Sequence, residues 1–180
     1  MTELLRVLSK KQIQESVARL AEKISLDYTN KDLVLIGVLK GSFIFLADLS
    51  RALCIPVEID FIGASSYGSN TYSSGAVRIT KEIRADLKGR HVLLVEDIID
   101  SGQTLAYLVE HIRSLGPETV RTCAMIDKME RRVGEVVADY ACHTIETGFL
   151  VGYGLDFNEK YRNLPEIYHL VVQTEPTHRE

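Results

Sequence analysis

The sequence VLLVEDIIDSGQTL at residues 92–105 decides the fold. Residues 91–95 predict a strand that is buried on both faces, as in a parallel sheet. Three acids and a short polar turn follow this strand: Glu96, Asp97 and Asp100, then Ser101, Gly102, Gln103 and Thr104. Apolar residues at helical spacing then run from Leu105 to Leu115, where Gly116 and Pro117 end the helix. The segment is therefore predicted to be a strand, a polar turn and a helix.

The alternation of strands and helices extends on both sides of this segment. Buried strands are predicted at residues 33–39, 57–62 and 119–126, and weaker strands near residue 144 and at residues 149–151 and 167–172. Helices are predicted at residues 43–53 and after Ser9, which forms a capping box with Gln12. This pattern predicts an α/β fold with a mainly parallel sheet, in which ligands bind beyond the carboxyl ends of the strands.

A polar stretch at residues 63–75 interrupts the pattern. It holds seven Ser, Thr or Asn residues and three Gly residues, with Tyr67 and Tyr72 as its large side chains. Such a composition buries too little apolar surface to order itself, so a mobile loop is expected here. The simpler alternative is the end of an ordinary hairpin between two strands.

Composition narrows the class of protein. The chain has 180 residues, 46% hydrophobic and 26% charged, which predicts one domain over residues 1–180. Its net charge of −4 disfavours a nucleic-acid binder, since such proteins carry a basic face. No segment suits a signal peptide or a membrane span, and three cysteines without CxxC spacing favour a reducing compartment. We therefore expect a cytoplasmic protein that binds neither nucleic acid nor membrane.

The polar turn after the strand has the chemistry of a phosphate site. Ser101, Gly102 and Thr104 supply small groups and backbone N–H donors at a helix N-terminus, which favours an anion. Acids beside a phosphate repel it unless they bind its sugar hydroxyls or a divalent cation, so the combination suits a ribose phosphate. A simple helix cap is the alternative for any single residue, but it leaves Glu96 and Asp97 unexplained. The motifs GxxxxGK[ST], GxGxxG and GxSxG are absent from the sequence.

Residues 95–104, VEDIIDSGQT, resemble the phosphoribosyl pyrophosphate (PRPP) signature of type I phosphoribosyltransferases, in the version of the hypoxanthine-guanine branch. Four further segments are similar to that branch and occur in its order: residues 39–41 (LKG), 66–67 (SY), 127–128 (DK) and 149–158 (FLVGYGLDFN). The resemblance implies the type I phosphoribosyltransferase fold, with a central, mainly parallel, twisted sheet flanked by helices. It also implies a small hood over the active site, formed by the N-terminal and C-terminal segments, and a flexible lid loop at about residues 63–77.

The resemblance assigns roles within the PRPP signature. Asp100 would be the general base that takes the N7 proton of the purine, a role that is compatible with helix capping. Glu96 and Asp97 would hold the ribose hydroxyls, directly or through Mg²⁺. The full set that would bind the ribose and the 5′-phosphate is Glu96, Asp97, Asp100, Ser101, Gly102, Gln103 and Thr104.

Other roles fall on the pyrophosphate and the lid. Lys40 and Gly41 would form the pyrophosphate loop, which often contains a non-proline cis peptide bond in this family, and Arg162 would contact the same group. From the residues alone, the favoured interpretation of Lys40 is a lysine that reaches solvent from a buried stem, and that of Arg162 is a surface arginine. Ser66 and Tyr67 would belong to the lid that closes over the site and excludes water.

The purine would contact the last group of residues. Lys128 would donate to O6, and since lysine has only donors it would accept a 6-oxo purine and reject the 6-amino group of adenine. Phe149 would stack on the base, although a core phenylalanine is the commoner alternative. Leu150 and Asp156 would offer backbone groups, and the Asp156 carboxylate would join Glu96 and Asp97 as a metal ligand. Residues 130–132 are expected to form a solvated charged turn.

The function implied by the resemblance is purine salvage. The phosphoribosyl group would pass from PRPP to hypoxanthine, and to guanine as well, giving IMP or GMP and pyrophosphate with Mg²⁺ as cofactor. A homodimer or homotetramer is also implied. One alternative is a PRPP- or nucleotide-sensing regulator of the same fold, which would carry a basic face and could lack Asp100 and Lys128. Another is a phosphoribosyltransferase for xanthine, orotate or adenine, although Lys128 and residues 149–156 favour an oxopurine.

Overall fold

A computed structural model describes residues 2–66, 77–133 and 137–172. Its elements, in chain order, are β1 (Thr2–Leu8), α1 (Lys10–Asp27), β2 (Leu33–Leu39), α2 (Phe43–Ala52), β3 (Val57–Ser66), β4 (Val77–Lys81), β5 (His91–Ile99), α3 (Gln103–Ser114), β6 (Thr119–Lys128), β7 (Tyr140–Ile145), β8 (Leu150–Val151) and β9 (Ile167–Val172).

A six-stranded sheet in the order β4-β3-β2-β5-β6-β7 forms the centre of the molecule. The strands β2, β3, β5, β6 and β7 are parallel, and β4 pairs antiparallel with β3 at one edge. In the middle of the sheet, Leu35 of β2 pairs with Ile59 of β3 on one side and with Leu93 of β5 on the other. The predicted α/β fold with a mainly parallel sheet is confirmed.

Helices cover both faces of the sheet because the side chains of its buried strands alternate between two cores. Leu33 and Leu35 of β2 belong to the core that includes residues of α1 and α2. Val34 and Ile36 belong to the other core, together with the apolar residues of α3. A strand that is buried on both sides needs no polar face, which is why residues 33–39 are a continuous apolar run.

The capping box predicted at the start of α1 is present. The Ser9 hydroxyl accepts a hydrogen bond from the backbone N–H of Gln12 at 3.3 Å, and the Gln12 side-chain oxygen accepts one from the backbone N–H of Ser9 at 2.9 Å. Two backbone donors that the helix itself leaves without acceptors are satisfied in this way.

A second, three-stranded sheet joins the two ends of the chain in the order β1-β9-β8. β1 pairs antiparallel with β9, so that Leu4 lies opposite Leu170. The strand β1 was not predicted, because most of its residues are exposed and its sequence shows neither an alternating nor a buried pattern. This sheet brings residues of the N-terminal and C-terminal segments together.

The hairpin of β3 and β4 changes the expected boundaries of the polar loop. Residues 63–66 belong to β3 and pair with β4, so the prediction of a loop from residue 63 was wrong at its start. The alternative of a hairpin is therefore correct for β3 and β4, the strands on either side of residues 67–76. Residues 67–76 of the predicted lid, including Tyr67, lie outside the described residues.

The described ranges contain neither a membrane-spanning helix nor a disulfide bond. No helix in these ranges is long and apolar enough to cross a membrane. Cys54, Cys123 and Cys142 are free. Burial raises the pKa of Cys142 to about 12 and that of Cys123 as well, so both remain thiols at neutral pH.

Asp60 of β3 holds the segment after β4 in place. Its carboxylate accepts hydrogen bonds from the backbone N–H groups of Phe61, Arg84 and Ala85 and from the Lys81 ammonium, at 2.5–3.1 Å. Burial alone would raise the pKa of Asp60, but these four donors outweigh it and lower the pKa to about 2. The ionised carboxylate therefore stabilises this end of the sheet.

Replacing Asp60 with Asn should lower the free energy of unfolding at pH 7 by about 1–3 kcal/mol, because the charge that four donors face is lost. The folded pKa lies below the unfolded value of 3.8, so this contribution is present above about pH 4 and is lost as the pH falls towards 2. Denaturant unfolding at pH 7 and near pH 3 measures the difference. Asp86→Asn, which changes an exposed carboxylate with one backbone donor, is the control. Equal stability of the two variants at pH 7 would contradict the assignment.

Candidate active site

The end of β5 positions the acids of the candidate site. The strand continues to Ile99, so Glu96 and Asp97 lie within it rather than in the turn that follows. Successive side chains of a strand point to opposite faces, and the two acids accordingly line different cavities. Glu96 is a buried residue, with 8% of its surface exposed.

The two cavities meet at Asp100. The first, of about 350 Å³, is lined among others by Asp97, Lys128, Phe149, Leu150 and Asp156. The second, of about 230 Å³, is lined among others by Glu96, Ser101, Gly102 and Thr104. Asp100 and Ile98 are the residues that line both. The residues predicted to bind a purine and those predicted to bind a phosphate are thus in neighbouring cavities, with Asp100 between them.

The turn after β5 has the form of an anion site. Gly102 is the N-cap of α3 and has a φ of 82°, a conformation that favours glycine. It provides no side-chain cap, and Gln103 N–H has only a long contact of 3.4 Å to the Ser101 hydroxyl. The N-cap residue is therefore neither Asp nor Ser, the alternative that the sequence left open, and Ser101, Gly102 and Thr104 at this helix start line the second cavity.

Asp100 has an unusual environment for a carboxylate. Its Oδ1 atom is buried and has no hydrogen-bond partner among the described residues. The Lys128 ammonium lies 3.6 Å from Oδ1, and the Arg131 guanidinium lies 3.9 Å from Oδ2. One carboxylate oxygen at the junction of the two cavities is therefore free to accept a proton or a hydrogen bond from a ligand.

Lys128 is a buried lysine, with 8% of its side chain exposed. Its ammonium pairs with the Glu130 carboxylate at 2.9 Å and lies near Asp100. Lys128 is the last residue of β6 and lines the larger cavity. A lysine that is buried at the end of a strand is distinct from the solvated turn expected just after it.

Of residues 130–132, which were expected to form a solvated turn, only Arg132 departs from the expectation. The Arg132 side chain is buried, forms an ion pair with Asp127 and donates to the backbone oxygen of Ile99 at 3.2 Å. Glu130 lines the larger cavity together with Arg131. Both fit the expectation of exposure, with 40% of the Glu130 side chain and 74% of the Arg131 side chain exposed. No periodic signal in the sequence predicts the contacts of Arg132, since they join the ends of two different strands.

Phe149 lies at the mouth of the larger cavity rather than in the core. About half of its surface, 51%, is exposed, and its ring packs edge-to-face against Phe157 with the centroids 5.5 Å apart. The backbone oxygen of Phe149 accepts a hydrogen bond from the N–H of Leu170, which ties the segment to β9. An exposed aromatic face beside a buried lysine suits a flat heteroaromatic ligand.

Lys40 and Arg162 both contact Glu159, and Arg162 also contacts Asp156, which lines the larger cavity. The Leu39–Lys40 peptide bond is cis. The Lys40 ammonium pairs with Glu159 at 3.0 Å, and Arg162 pairs with Asp156 at 2.8 Å and with Glu159 at 3.6 Å. The two cations predicted to bind pyrophosphate thus share one carboxylate, Glu159, which the sequence did not single out.

Glycines allow this part of the site to pack closely. A Cβ atom at Gly41 would overlap the Asp97 carboxylate, and one at Gly154 would overlap the backbone oxygen of Gly41. Gly154 also has a φ of 104°, outside the range of most other residues. The backbone at residues 40–41 is therefore in direct contact with Asp97 and with the 154 turn.

Glu96 and Asp97 suit a divalent cation. Burial raises the pKa of both, to about 6 for Asp97 and well above the usual value for Glu96, and neither forms an ion pair with a described residue. Asp156 lies close enough to Asp97 to raise its pKa further. No cluster of three or more metal-binding side chains occurs in the described ranges. That is compatible with Mg²⁺, which is commonly held by one or two carboxylates together with substrate oxygens.

Comparison with known proteins identifies the family. Residues 5–158 match the phosphoribosyl transferase domain family, and the chain belongs to it. The chain is 45% identical over 161 residues to a hypoxanthine-guanine phosphoribosyltransferase of Streptococcus pneumoniae, with 89% of each chain covered. It is 44% identical over 167 residues to that of Mycobacterium bovis, covering 89% of this chain and 83% of the relative.

A solved structure agrees with the fold. The hypoxanthine-guanine phosphoribosyltransferase of Bacillus anthracis superposes with a TM-score of 0.88 at 43% identity, covering 96% of this chain and all of the other. The predicted type I phosphoribosyltransferase fold is confirmed. Of the predicted site residues, Ser66 is described as the last residue of β3, and Tyr67 lies outside the described residues.

Proposed function

We propose that this protein transfers the phosphoribosyl group of PRPP to hypoxanthine, and to guanine as well, in purine salvage. The observation that carries the proposal is the junction of two cavities at Asp100, whose buried Oδ1 accepts no hydrogen bond from the described chain. One cavity has the donors for a phosphate, and the other has a buried lysine and an exposed aromatic ring. The names of the relatives support the same activity.

PRPP would bind with its 5′-phosphate at the uncapped start of α3. The backbone donors of this turn and the hydroxyls of Ser101 and Thr104 suit phosphate oxygens, with the side chain of Gln103 beside them. Glu96 and Asp97 would hold the ribose hydroxyls, directly or through Mg²⁺. In this arrangement the carboxylates would face the ribose hydroxyls rather than the phosphate.

The reaction would form a bond between the purine N9 and C1′ of PRPP while the bond from C1′ to pyrophosphate breaks. As N9 attacks, the proton on N7 of the base would pass to the free Oδ1 of Asp100. The transition state resembles an oxocarbenium ion, so a carboxylate near C1′ would also stabilise its charge. Asp100 is the one ionisable residue that lines both cavities in the described chain, which supports this assignment.

The base would lie in the larger cavity. Lys128 would donate to O6 and thereby select a 6-oxo purine, since the 6-amino group of adenine would face another donor. Phe149 would stack on the ring, and the backbone groups of Leu150 and Asp156 would read its edge. The exposure of Phe149 and the burial of Lys128 support these roles.

Pyrophosphate would leave past Lys40, Gly41 and Arg162. The chemistry that Mg²⁺ supplies when bound is neutralisation of charge on this leaving group. The residues proposed to hold Mg²⁺ are Glu96 in the smaller cavity and Asp97 and Asp156 in the larger one. The sheet of β1, β8 and β9 would serve as the hood, and the segment after Ser66 as the lid that excludes water.

The alternatives remain a PRPP- or nucleotide-sensing regulator and a phosphoribosyltransferase for xanthine. A regulator would not need a free base beside a buried lysine, and this chain has both Asp100 and Lys128. We also propose a cytoplasmic location and a homodimer or homotetramer, which light scattering of the purified protein would measure.

Purified protein incubated with PRPP, Mg²⁺ and hypoxanthine should yield IMP and pyrophosphate, and guanine should yield GMP. Initial rates with hypoxanthine, guanine, xanthine and adenine measure the preference, with adenine expected to be the poorest substrate because of Lys128. Omission of the base is the control for hydrolysis of PRPP. Absence of turnover with all three oxopurines would refute the proposed function.

Glu159→Gln should bind magnesium pyrophosphate about 2- to 5-fold more tightly than the unchanged protein, because the Glu159 carboxylate competes for Lys40 and Arg162. Calorimetric titration with magnesium pyrophosphate gives the dissociation constants. Glu118→Gln is the control, since it makes the same change of charge directly before β6, at the end of that strand far from Lys128. Weaker binding by Glu159→Gln, or equal gains in both variants, would contradict the competition.

A further inference from the structure

Glu130 makes two contacts through a single oxygen. Its Oε2 atom pairs with the Lys128 ammonium at 2.9 Å and accepts a hydrogen bond from the backbone N–H of Gly148 at 3.3 Å. The hydrogen bonds from Lys128 and from the Gly148 backbone N–H lower the pKa of the Glu130 carboxyl, so it is ionised at neutral pH. Glu130 also lines the larger cavity, where no role was assigned to it above.

The first contact decides where the Lys128 ammonium lies. Two carboxylates compete for it, and the nearer is Glu130 at 2.9 Å, whereas Asp100 is at 3.6 Å and makes no hydrogen bond with it. A buried ammonium moves towards the carboxylate that is left when the other is removed, because its charge is costly without a close partner. Glu130 therefore keeps Lys128 away from Asp100.

The second contact fixes the start of the segment that carries Phe149. Gly148 has a φ of 104°, and a Cβ atom there would overlap the His169 ring of β9. Its backbone is thus held from one side by His169 and from the other by Glu130. One carboxylate thus joins Lys128, proposed above to face the edge of the base, to the segment of Phe149, proposed to stack on its plane.

We propose that Glu130 is a positioning residue that sets the selectivity of the site for a 6-oxo purine by holding Lys128 between Asp100 and the Phe149 segment. It does not touch the reacting atoms. It leaves Oδ1 of Asp100 free for the N7 proton and directs the ammonium to the 6-position of the ring. This inference rests on the proposed function, since it assigns a purine to the larger cavity.

The test compares Glu130→Ala and Glu130→Gln with the control Glu146→Gln. Glu146 is an exposed carboxylate near the same turn and forms no ion pair with a described residue. Equilibrium binding of IMP and AMP is measured by calorimetry, and the KM values of hypoxanthine and PRPP by steady-state kinetics. The two nucleotides differ at the 6-position, so the ratio of their affinities measures how well the Lys128 ammonium is placed for a 6-oxo group. This ratio does not depend on turnover.

Glu130→Ala should reduce the preference for IMP over AMP and raise the KM of hypoxanthine by about 10- to 100-fold, because the ammonium is displaced. The KM of PRPP should stay within about twofold, since PRPP binds through the other cavity. Glu130→Gln should fall between Ala and the unchanged protein, because its amide oxygen still accepts both hydrogen bonds without the charge. Glu146→Gln should leave all four quantities unchanged.

A Lys128→Met background separates the effect that Glu130→Ala has through Lys128 from its other effects. In Lys128→Met protein, the further change Glu130→Ala should alter the IMP to AMP ratio little, because Glu130 acts through the lysine. Additive losses, or equal losses for IMP and AMP, would overturn the inference and reduce Glu130 to a structural residue. Failure of the unchanged protein to turn over any oxopurine would instead refute the proposed function, while the nucleotide ratio would still decide the role of Glu130.

Discussion

The two carboxylates at the end of β5 are the constraint on which the site depends. Glu96 is buried, the adjacent Asp97 is half-buried, and neither has an ion-pair partner in the described chain, so their charges are costly in the absence of a ligand or a cation. Because successive side chains of a strand point to opposite faces, the two carboxylates line separate cavities. A ligand that spans both cavities and presents hydroxyls and a cation to the strand compensates for both charges at once.

The rest of the site is arranged around this charge. The start of α3 supplies backbone donors for an anion on one side, and Lys128 supplies a cation on the other. Gly41 lets the backbone approach Asp97, which a side chain would prevent. The acids Glu130 and Glu159 pair with the cations of the site, Glu130 with Lys128 and Glu159 with Lys40 and Arg162. Under the proposed function, substrate binding would exchange these internal ion pairs for ligand contacts.

Sequence patterns predicted the parts of the fold that rest on burial and local chemistry. Examples are the strand at residues 33–39 and the capping box at Ser9. In the first the run of apolar residues itself indicates burial, and in the second the two partners are only three residues apart. The strand β1 was missed because it is mostly exposed, and its pairing with β9 joins opposite ends of the chain. Glu130 and Glu159 were missed for the same reason. Their partners are brought close by the fold, and no local pattern signals such contacts.

The central claim is that Asp100 takes the proton of the base at the junction of the two cavities. The most direct measurement compares the forward rate of Asp100→Asn with that of the unchanged protein under saturating PRPP, Mg²⁺ and hypoxanthine, together with the affinity of each for IMP. The account predicts a fall in rate of about 10²–10⁴-fold with IMP affinity largely kept, because the amide fills the same space but cannot accept the proton. A near-normal rate for Asp100→Asn would contradict it.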